Sequence, residues 1–321
     1  MTEHKDFNIV FMGTPEFAVT ILDKLHIEGY NIKAVVTAID KPAGRGRKIQ
    51  ESDVKKYAVE NNLPLLQPEN LKDESFQNEL KQLNADLFVV VAFRMLPKSV
   101  WSIPEKGTIN LHGSLLPQYR GAAPINWSVI NGENKTGVTT FFINEKIDTG
   151  DLLLQKEMEI GENETAGEVH DRMMHLGAET VLETVKMIQV DEIKAIPQIT
   201  EGLELKPAPK IFKNDCLLNF DLSIKELHNF IRGMSPFPTA WFRIKKKDQD
   251  QSKIFKVYKT EIQSEQPNDK VSLVKNENEL HLKTPHGTLI LLTIQLEGKK
   301  RMEAKQFLTG FNPDEWMVVT S

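Results

Sequence analysis

Asn110, His112 and Asp148 are the residues of this chain whose types and spacing suit covalent chemistry. Asn110 and His112 lie two apart in TINLH, residues 108–112, a run opened by β-branched Thr108 and Ile109 just past the breaker Gly107. On a strand, that spacing sends both side chains to one face and Leu111 to the other. An amide donor and an imidazole then converge where the strand ends. The loop that follows, residues 114–121, is punctuated by Pro and Gly and carries Arg120. Asp148, in the later IDTGD segment, would add a carboxylate. A neutral donor, a titrating ring and a carboxylate suit acyl transfer, in which a carbonyl becomes a tetrahedral oxyanion and the attacking group must lose a proton.

Such a trio needs a sheet to hold it, and the N-terminal half reads as one. Residues 7–12 (FNIVFM), bounded by Gly13, form a buried first strand. Thr14 is the expected helix cap, with Pro15 at the first helical position. GTPEF lacks the second and third glycines of a dinucleotide fingerprint. Strands over 32–37, 64–66 and 87–92 alternate with helices over 52–61 and 73–83. That alternation implies a parallel sheet with helices on both faces and ligands beyond the C-terminal strand ends. A helix over 122–130, strands over 138–143 and 152–158, and a helix over 165–187 follow, the last opened by a Thr165–Glu168 capping box. Residues 190–210 contain three prolines and little periodicity, as expected of a linker. Beyond it, a strand over 217–220 and a helix over 223–232 precede strands over 239–244, 254–262, 270–275, 279–284 and 288–296. These suggest a small β-barrel of the OB-like kind. The expected domains are 1–189 and 209–321, joined by 190–208.

The chain has 321 residues, 26% of them charged, and a formal net charge of −5, so contact with nucleic acid would have to use local basic patches. DKPAGRGRK, residues 40–48, is one, and its glycines and proline predict an exposed, mobile loop. Lys245–Lys247, Lys253, Lys256, Lys259 and Lys299–Arg301 gather positive charge in the C-terminal half. A single cysteine, Cys216, excludes an intramolecular disulfide and fits a reducing compartment. His170 and His175 are five apart, not the i, i+4 of a metal pair, and no metal is expected. The polar MTEHKD start has no secretory h-region, and the most apolar run, residues 87–93, is too short to span a bilayer. The expected location is the cytoplasm, away from any membrane.

HGSLLPQYRGAAPI at 112–125 with IDTGD at 147–151 is a rare combination, and GTPEFA, KPAGRGRK and FIRGMSPFPTAW extend the pattern along the chain. Over nearly its whole length the chain resembles the folate-dependent formyltransferases. The resemblance implies an α/β fold: a Rossmann-like, doubly wound, mostly parallel sheet followed by a smaller OB-like barrel that binds tRNA. It implies 10-formyltetrahydrofolate as donor and the α-amine of initiator methionyl-tRNA as acceptor, handled by a monomer without a metal. It makes Asn110, His112 and Asp148 the catalytic residues. Asn110 would donate to the oxyanion, and His112 would share the oxyanion or relay the proton. Asp148 would hold the imidazole tautomer and raise its pKa. Ser114, Leu115, Leu116 and Pro117 would pack against the folate, with Phe93 and Met95, flanking Arg94, lining its pteridine pocket. Arg120 would pair within its own loop. Arg45, with Lys41, Arg47 and Lys48, would contact the tRNA. Transfer to glycinamide ribonucleotide or an amino-sugar nucleotide is the nearest alternative, and a non-catalytic RNA-binding relative is the alternative from another class. The basic loop and the barrel favour tRNA.

Arg45→Ala is therefore expected to weaken use of charged tRNA, and the wild-type protein to lose its advantage as salt rises. Steady-state kinetics at several ionic strengths check this, and salt-insensitive rates in both proteins would rule out a phosphate contact.

Overall fold

The computed structural model describes residues 6–43 and 48–320. They form two compact units. One is built from the chain up to Gly121 together with Thr136–Met158 and His170–Pro207. The other takes Ala122–Lys135, Glu159–Val169 and everything from Ala208 onward.

The first unit opens with β1 (Asn8–Gly13), α1 (Glu16–Ile27) and β2 (Asn31–Val36). The short β3 (Lys41–Ala43) and β4 (Lys48–Gln50) follow, then α2 (Asp53–Glu60), β5 (Leu65–Leu66), α3 (Glu74–Gln82), β6 (Leu87–Val91), α4 (Lys98–Trp101) and β7 (Thr108–His112). After α5 (Pro124–Ile130), which belongs to the second unit, come β8 (Lys135–Phe142), β9 (Leu152–Glu159) and α6 (Ala166–Gln189). The strand order is β5-β2-β1-β6-β7-β8-β9. Pairing is parallel from β5 to β7, and β8 runs antiparallel to β7.

The apolar runs of β1 and β6 are buried because both sheet faces are covered. Val10, Met12, Ala34, Val36, Phe88 and Val90 pack one face against Phe76 and Leu80 of α3 and Val100 of α4. On the other face α6 crosses β7 so closely that a Cβ on Gly177 would lie 2.7 Å from Leu111 Cδ2. Thr165 and Glu168 close their capping box, Thr165 N donating to Glu168 Oε2 at 2.9 Å and Glu168 N to Thr165 Oγ1 at 3.3 Å. Thr14 does not cap α1. Pro15 occupies that position, with no side-chain cap bond.

The ends of the basic stretch pair, β3 and β4 forming an antiparallel hairpin with Lys41 opposite Gln50. Lys55 Nζ ties both feet of this hairpin, through Asp40 on one side and Glu51, at 2.8 Å, on the other. Arg45 and Arg47 lie outside the described residues, and of Lys48 only the backbone pairing is described.

In the second unit α7 (Ile224–Gly233) leads into β10 (Ala240–Lys246), β11 (Ser252–Ser264), β12 (Ser272–Asn276), β13 (Glu279–Thr284) and β14 (Gly287–Leu296). Then come β15 (Met302–Glu303), α8 (Ala304–Phe307) and β16 (Trp316–Val319). The antiparallel order β12-β13-β14-β11-β10-β16 brings the edge strands β12 and β16 near each other, so the sheet is an almost closed barrel. Its core is a chain of rings: Phe242 lies 5.2 Å from Phe255, Phe255 5.8 Å from Phe307, and Phe307 4.4 Å from Phe311. No strand forms over 217–220. Leu218 and Phe220 are buried at alternate positions, which mimics a strand pattern, but only Leu217 makes a bridge, to Trp241.

Phe255 is fully buried at the centre of this ring chain. Phe255→Ala is expected to cost the barrel about 3–5 kcal/mol. Denaturant unfolding measures this, and a loss below about 1 kcal/mol would contradict the core assignment.

Candidate active site

The parallel register places Asn110 beside Val90 of β6, and the antiparallel register places His112 beside Thr139 of β8. Both side chains leave the face opposite Leu111, at the C-terminal end of β7, where ligands of parallel sheets bind. The Asn110 side chain is half-buried and makes no hydrogen bond to a described residue. Its amide is thus available to a carbonyl oxygen.

His112 is buried, with 6% of its surface exposed. The loop after β7 folds back over it, and the ring Nε2 lies 2.8 Å from the Tyr119 carbonyl. A carbonyl only accepts, so Nε2 carries the proton and Nδ1 holds the lone pair of the neutral ring. Nδ1 faces Asp148 Oδ2 at 3.8 Å, beyond hydrogen-bond reach. The tautomer expected from Asp148 is therefore set by a backbone carbonyl instead. Burial pushes the imidazole below its usual pKa, against the pull of Asp148 and of the Tyr119 hydrogen bond, while the nearby Arg120 charge adds to the lowering. Asp148 does raise the pKa, as expected, but desolvation outweighs it.

Asp148 is held from several sides. Its Oδ2 accepts the Gly121 N–H at 2.9 Å. Its backbone has a φ of 53°, in the left-handed region tolerated by Asp. Two residues on, only glycine fits: a Cβ on Gly150 would stand 1.6 Å from the Phe142 carbonyl oxygen. Arg120 does not pair within its loop. Its Nη2 donates to Gln198 Oε1 at 2.6 Å, across the segment that reads as a linker.

The residues expected to face folate divide. Ser114 and Leu116 are buried. The Ser114 hydroxyl donates to Gln118 O at 2.7 Å, and its carbonyl accepts from Thr139 Oγ1 at 2.6 Å. Leu116 N donates to Thr139 Oγ1 at 3.1 Å, and its carbonyl accepts from Gln155 Nε2 at 2.9 Å. These two residues shape the loop from behind. Leu115 and Pro117 are half-buried beside them. Phe93 is half-buried and Met95 is 69% exposed. Arg94 anchors their loop, donating to the Pro68 carbonyl and, at 2.8 Å, to that of Glu69. Thr139, Gln155 and Gln198 shape the site without having drawn notice in the sequence, because single polar residues in a strand or a Pro-rich stretch carry no local signature.

A mostly parallel sheet followed along the chain by an antiparallel barrel is consistent with the fold of a formyl-group transferase. The chain belongs to the formyl transferase family: residues 7–185 match the family's formyl transferase model, and residues 210–312 match its C-terminal domain. A methionyl-tRNA formyltransferase from Flavobacterium johnsoniae is 51% identical over 94% of this chain and 95% of its own. One from Bacteroides thetaiotaomicron is 48% identical over 96% of both chains. In fold, the chain also matches an N-formyltransferase from Helicobacter canadensis, solved with folinic acid and dTDP-3-aminofucose, with a TM-score of 0.63 at 19% identity over 89% of this chain and 98% of that one.

His112 is expected to titrate below its usual 6.5 in the folded protein, because burial dominates. A depressed base binds fewer protons folded than unfolded, so its contribution to stability is present above the unfolded pKa and is lost as pH falls toward the folded one. Asp148→Asn, removing the attraction, should lower the midpoint further. NMR titration of the ring checks both signs, and a midpoint above 6.5 would reverse the assignment.

Proposed function

We propose that this chain transfers the formyl group of 10-formyltetrahydrofolate to the α-amine of initiator methionyl-tRNA, making N-formylmethionyl-tRNA for translation initiation. The observation that carries the reading is the likeness, at about half identity and almost full length, to methionyl-tRNA formyltransferases. The site supports the same chemistry.

The half-buried Asn110 amide, without a protein partner among the described residues, fits a ligand carbonyl. Bound 10-formyltetrahydrofolate supplies an electrophilic formyl carbon. Phe93, Met95, Leu115 and Pro117 flank the donor's flat rings, with Ser114 and Leu116 supporting the wall. Asn110 donates an N–H to the oxygen that gains charge, an interaction worth roughly 3–4 kcal/mol in such sites. His112, neutral and protonated at Nε2, offers Nδ1 as the proton acceptor for the attacking amine. Asp148, 3.8 Å from Nδ1, stabilises the imidazolium that results, and that proton passes to folate N10 as the bond from the formyl carbon to N10 breaks and tetrahydrofolate leaves. The loop and sheet align these groups before substrate arrives, which lowers the entropic part of the barrier.

Arg45, with Lys41, Arg47 and Lys48, serves the tRNA, and the barrel offers a second surface. On it Arg243 lies 5.8 Å from the ring of the half-buried Trp241, a cation beside an aromatic of the kind suited to nucleic acid. Among the described residues no helix is long and apolar enough to cross a membrane. The protein would work as a cytoplasmic monomer.

Incubation with 10-formyltetrahydrofolate and methionyl-tRNA should leave a formyl mass increment on the amino acid, with uncharged tRNA and glycinamide ribonucleotide unmodified. Asn110→Ala should lower kcat by about 10²–10³ with the fold intact by circular dichroism. Formylation of glycinamide ribonucleotide in preference to methionyl-tRNA would overturn the acceptor, and near wild-type turnover in Asn110→Ala would overturn its role.

A further inference from the structure

Residues 196–206 read as a linker, yet they are bound to the site loops at several points. Ile196 exchanges two backbone hydrogen bonds with Leu152, at 2.8 and 2.9 Å. Tyr119 N donates to Lys206 O at 2.7 Å, and the Gln118 side chain takes the Lys206 N–H and donates to Glu204 O. At the centre is Gln198. Its Nε2 donates to the Asp148 carbonyl at 3.0 Å and to the Gly150 carbonyl at 2.8 Å. Its Oε1 accepts from Arg120 Nε at 3.2 Å and Nη2 at 2.6 Å.

One amide therefore spans the two loops that meet over His112. All of its polar capacity serves them, with both protons on the Asp148 loop and the oxygen on the Arg120 loop. The same two loops are joined a second time by the Gly121 N–H bond to Asp148 Oδ2. Two attachments are needed to fix a rotation as well as a distance. Asp148 needs both, since its left-handed backbone is not the default for the residue.

We propose that Gln198 is a positioning residue for the reaction, holding the Asp148 carboxylate in register with His112 Nδ1, so that the segment over 196–206 is part of the active site. The inference rests on the reading of Asp148 given above. Gln198 touches neither His112 nor a reacting atom and acts through the two residues it holds, chiefly Asp148 by its carbonyl and secondarily Arg120 by its guanidinium. The charged groups acting on the His112 ring are Asp148 and Arg120. Its strand neighbours on β7 and β8, Leu111 and Thr139, are uncharged.

The test compares Gln198→Ala, Gln198→Glu, Asp148→Asn and the double variant Gln198→Ala/Asp148→Asn in steady-state formylation of methionyl-tRNA. Gln198→Ala should lose about 10- to 100-fold in kcat, the scale of a small misplacement, with KM for both substrates nearly unchanged. The acid limb of its pH profile should move to lower pH, because Asp148 and Arg120 lose the same anchor and the Asp148 carboxylate, which raises the His112 pKa, outweighs the Arg120 charge, which lowers it. Gln198→Glu is isosteric and keeps the Arg120 contact, but it loses both protons and puts a carboxylate oxygen against two carbonyls. It should fall as far as the alanine variant, and it serves the test if that variant unfolds. Adding Gln198→Ala to Asp148→Asn should cost nothing more.

Wild-type kcat in either Gln198 variant beside a crippled Asp148→Asn overturns the inference alone. Losses that multiply in the double variant do so too, since they would mean that Gln198 acts elsewhere. Full activity in Asp148→Asn would remove the reading of the site and this inference with it.

Discussion

The hydrogen bond from His112 Nε2 to the Tyr119 carbonyl is the contact on which the rest of the site depends. It closes the loop after β7 over the ring, removes the imidazole from solvent and decides which nitrogen keeps a lone pair. Tyr119 reaches that position with a φ of 59°, in the sparsely populated left-handed region. The surrounding loop must hold it there, and side-chain hydrogen bonds to the loop carbonyls do so. Thr139 and Gln155 engage the carbonyls of Ser114 and Leu116, and the Ser114 hydroxyl engages that of Gln118. The polar atoms of the signature loop are thus spent largely on its own shape, leaving its apolar surface to the ligand.

The electrostatics follow from that closure. A buried imidazole between a carboxylate and a guanidinium could be driven either way, and the balance is set by desolvation, which opposes charge on the ring. A ring that rests neutral can take a proton, and Asp148 then favours the charged form at the moment it appears. Keeping the carboxylate just beyond hydrogen-bond range, at 3.8 Å, preserves this difference between resting and protonated states. A direct hydrogen bond would favour the charged ring in the resting enzyme.

The supporting elements show how one chain can hold such a site. The sheet supplies direction: β7 offers its last polar residues to one face because α6 presses on the other, close enough to require glycine at 177. The turn after β8 supplies Asp148, and its path is so tight that the Phe142 carbonyl leaves no room for a side chain at Gly150. Both constraints are steric, so neither depends on salt or pH, and the ionisable groups sit on a frame that their own titration does not move.

Much of this was legible in the residues. The period of two that puts Asn110 and His112 on one face is a property of any strand, and the Thr165–Glu168 cap needs only neighbours three apart. The alternation of apolar strands and amphipathic helices likewise dictates a covered parallel sheet, and short strands with turns dictate a barrel. Misreadings arose where local pattern and pairing part company. Leu218 and Phe220 alternate like a strand but only fill a core, and β16 is too short to be seen without β10 beside it. Tertiary structure alone decided which nitrogen of His112 bears the proton, which way its pKa moves, and that Gln198, 78 residues from Arg120, belongs to the site. The reason is that secondary structure depends on neighbours along the chain, whereas desolvation and long-range hydrogen bonds depend on what folding brings near.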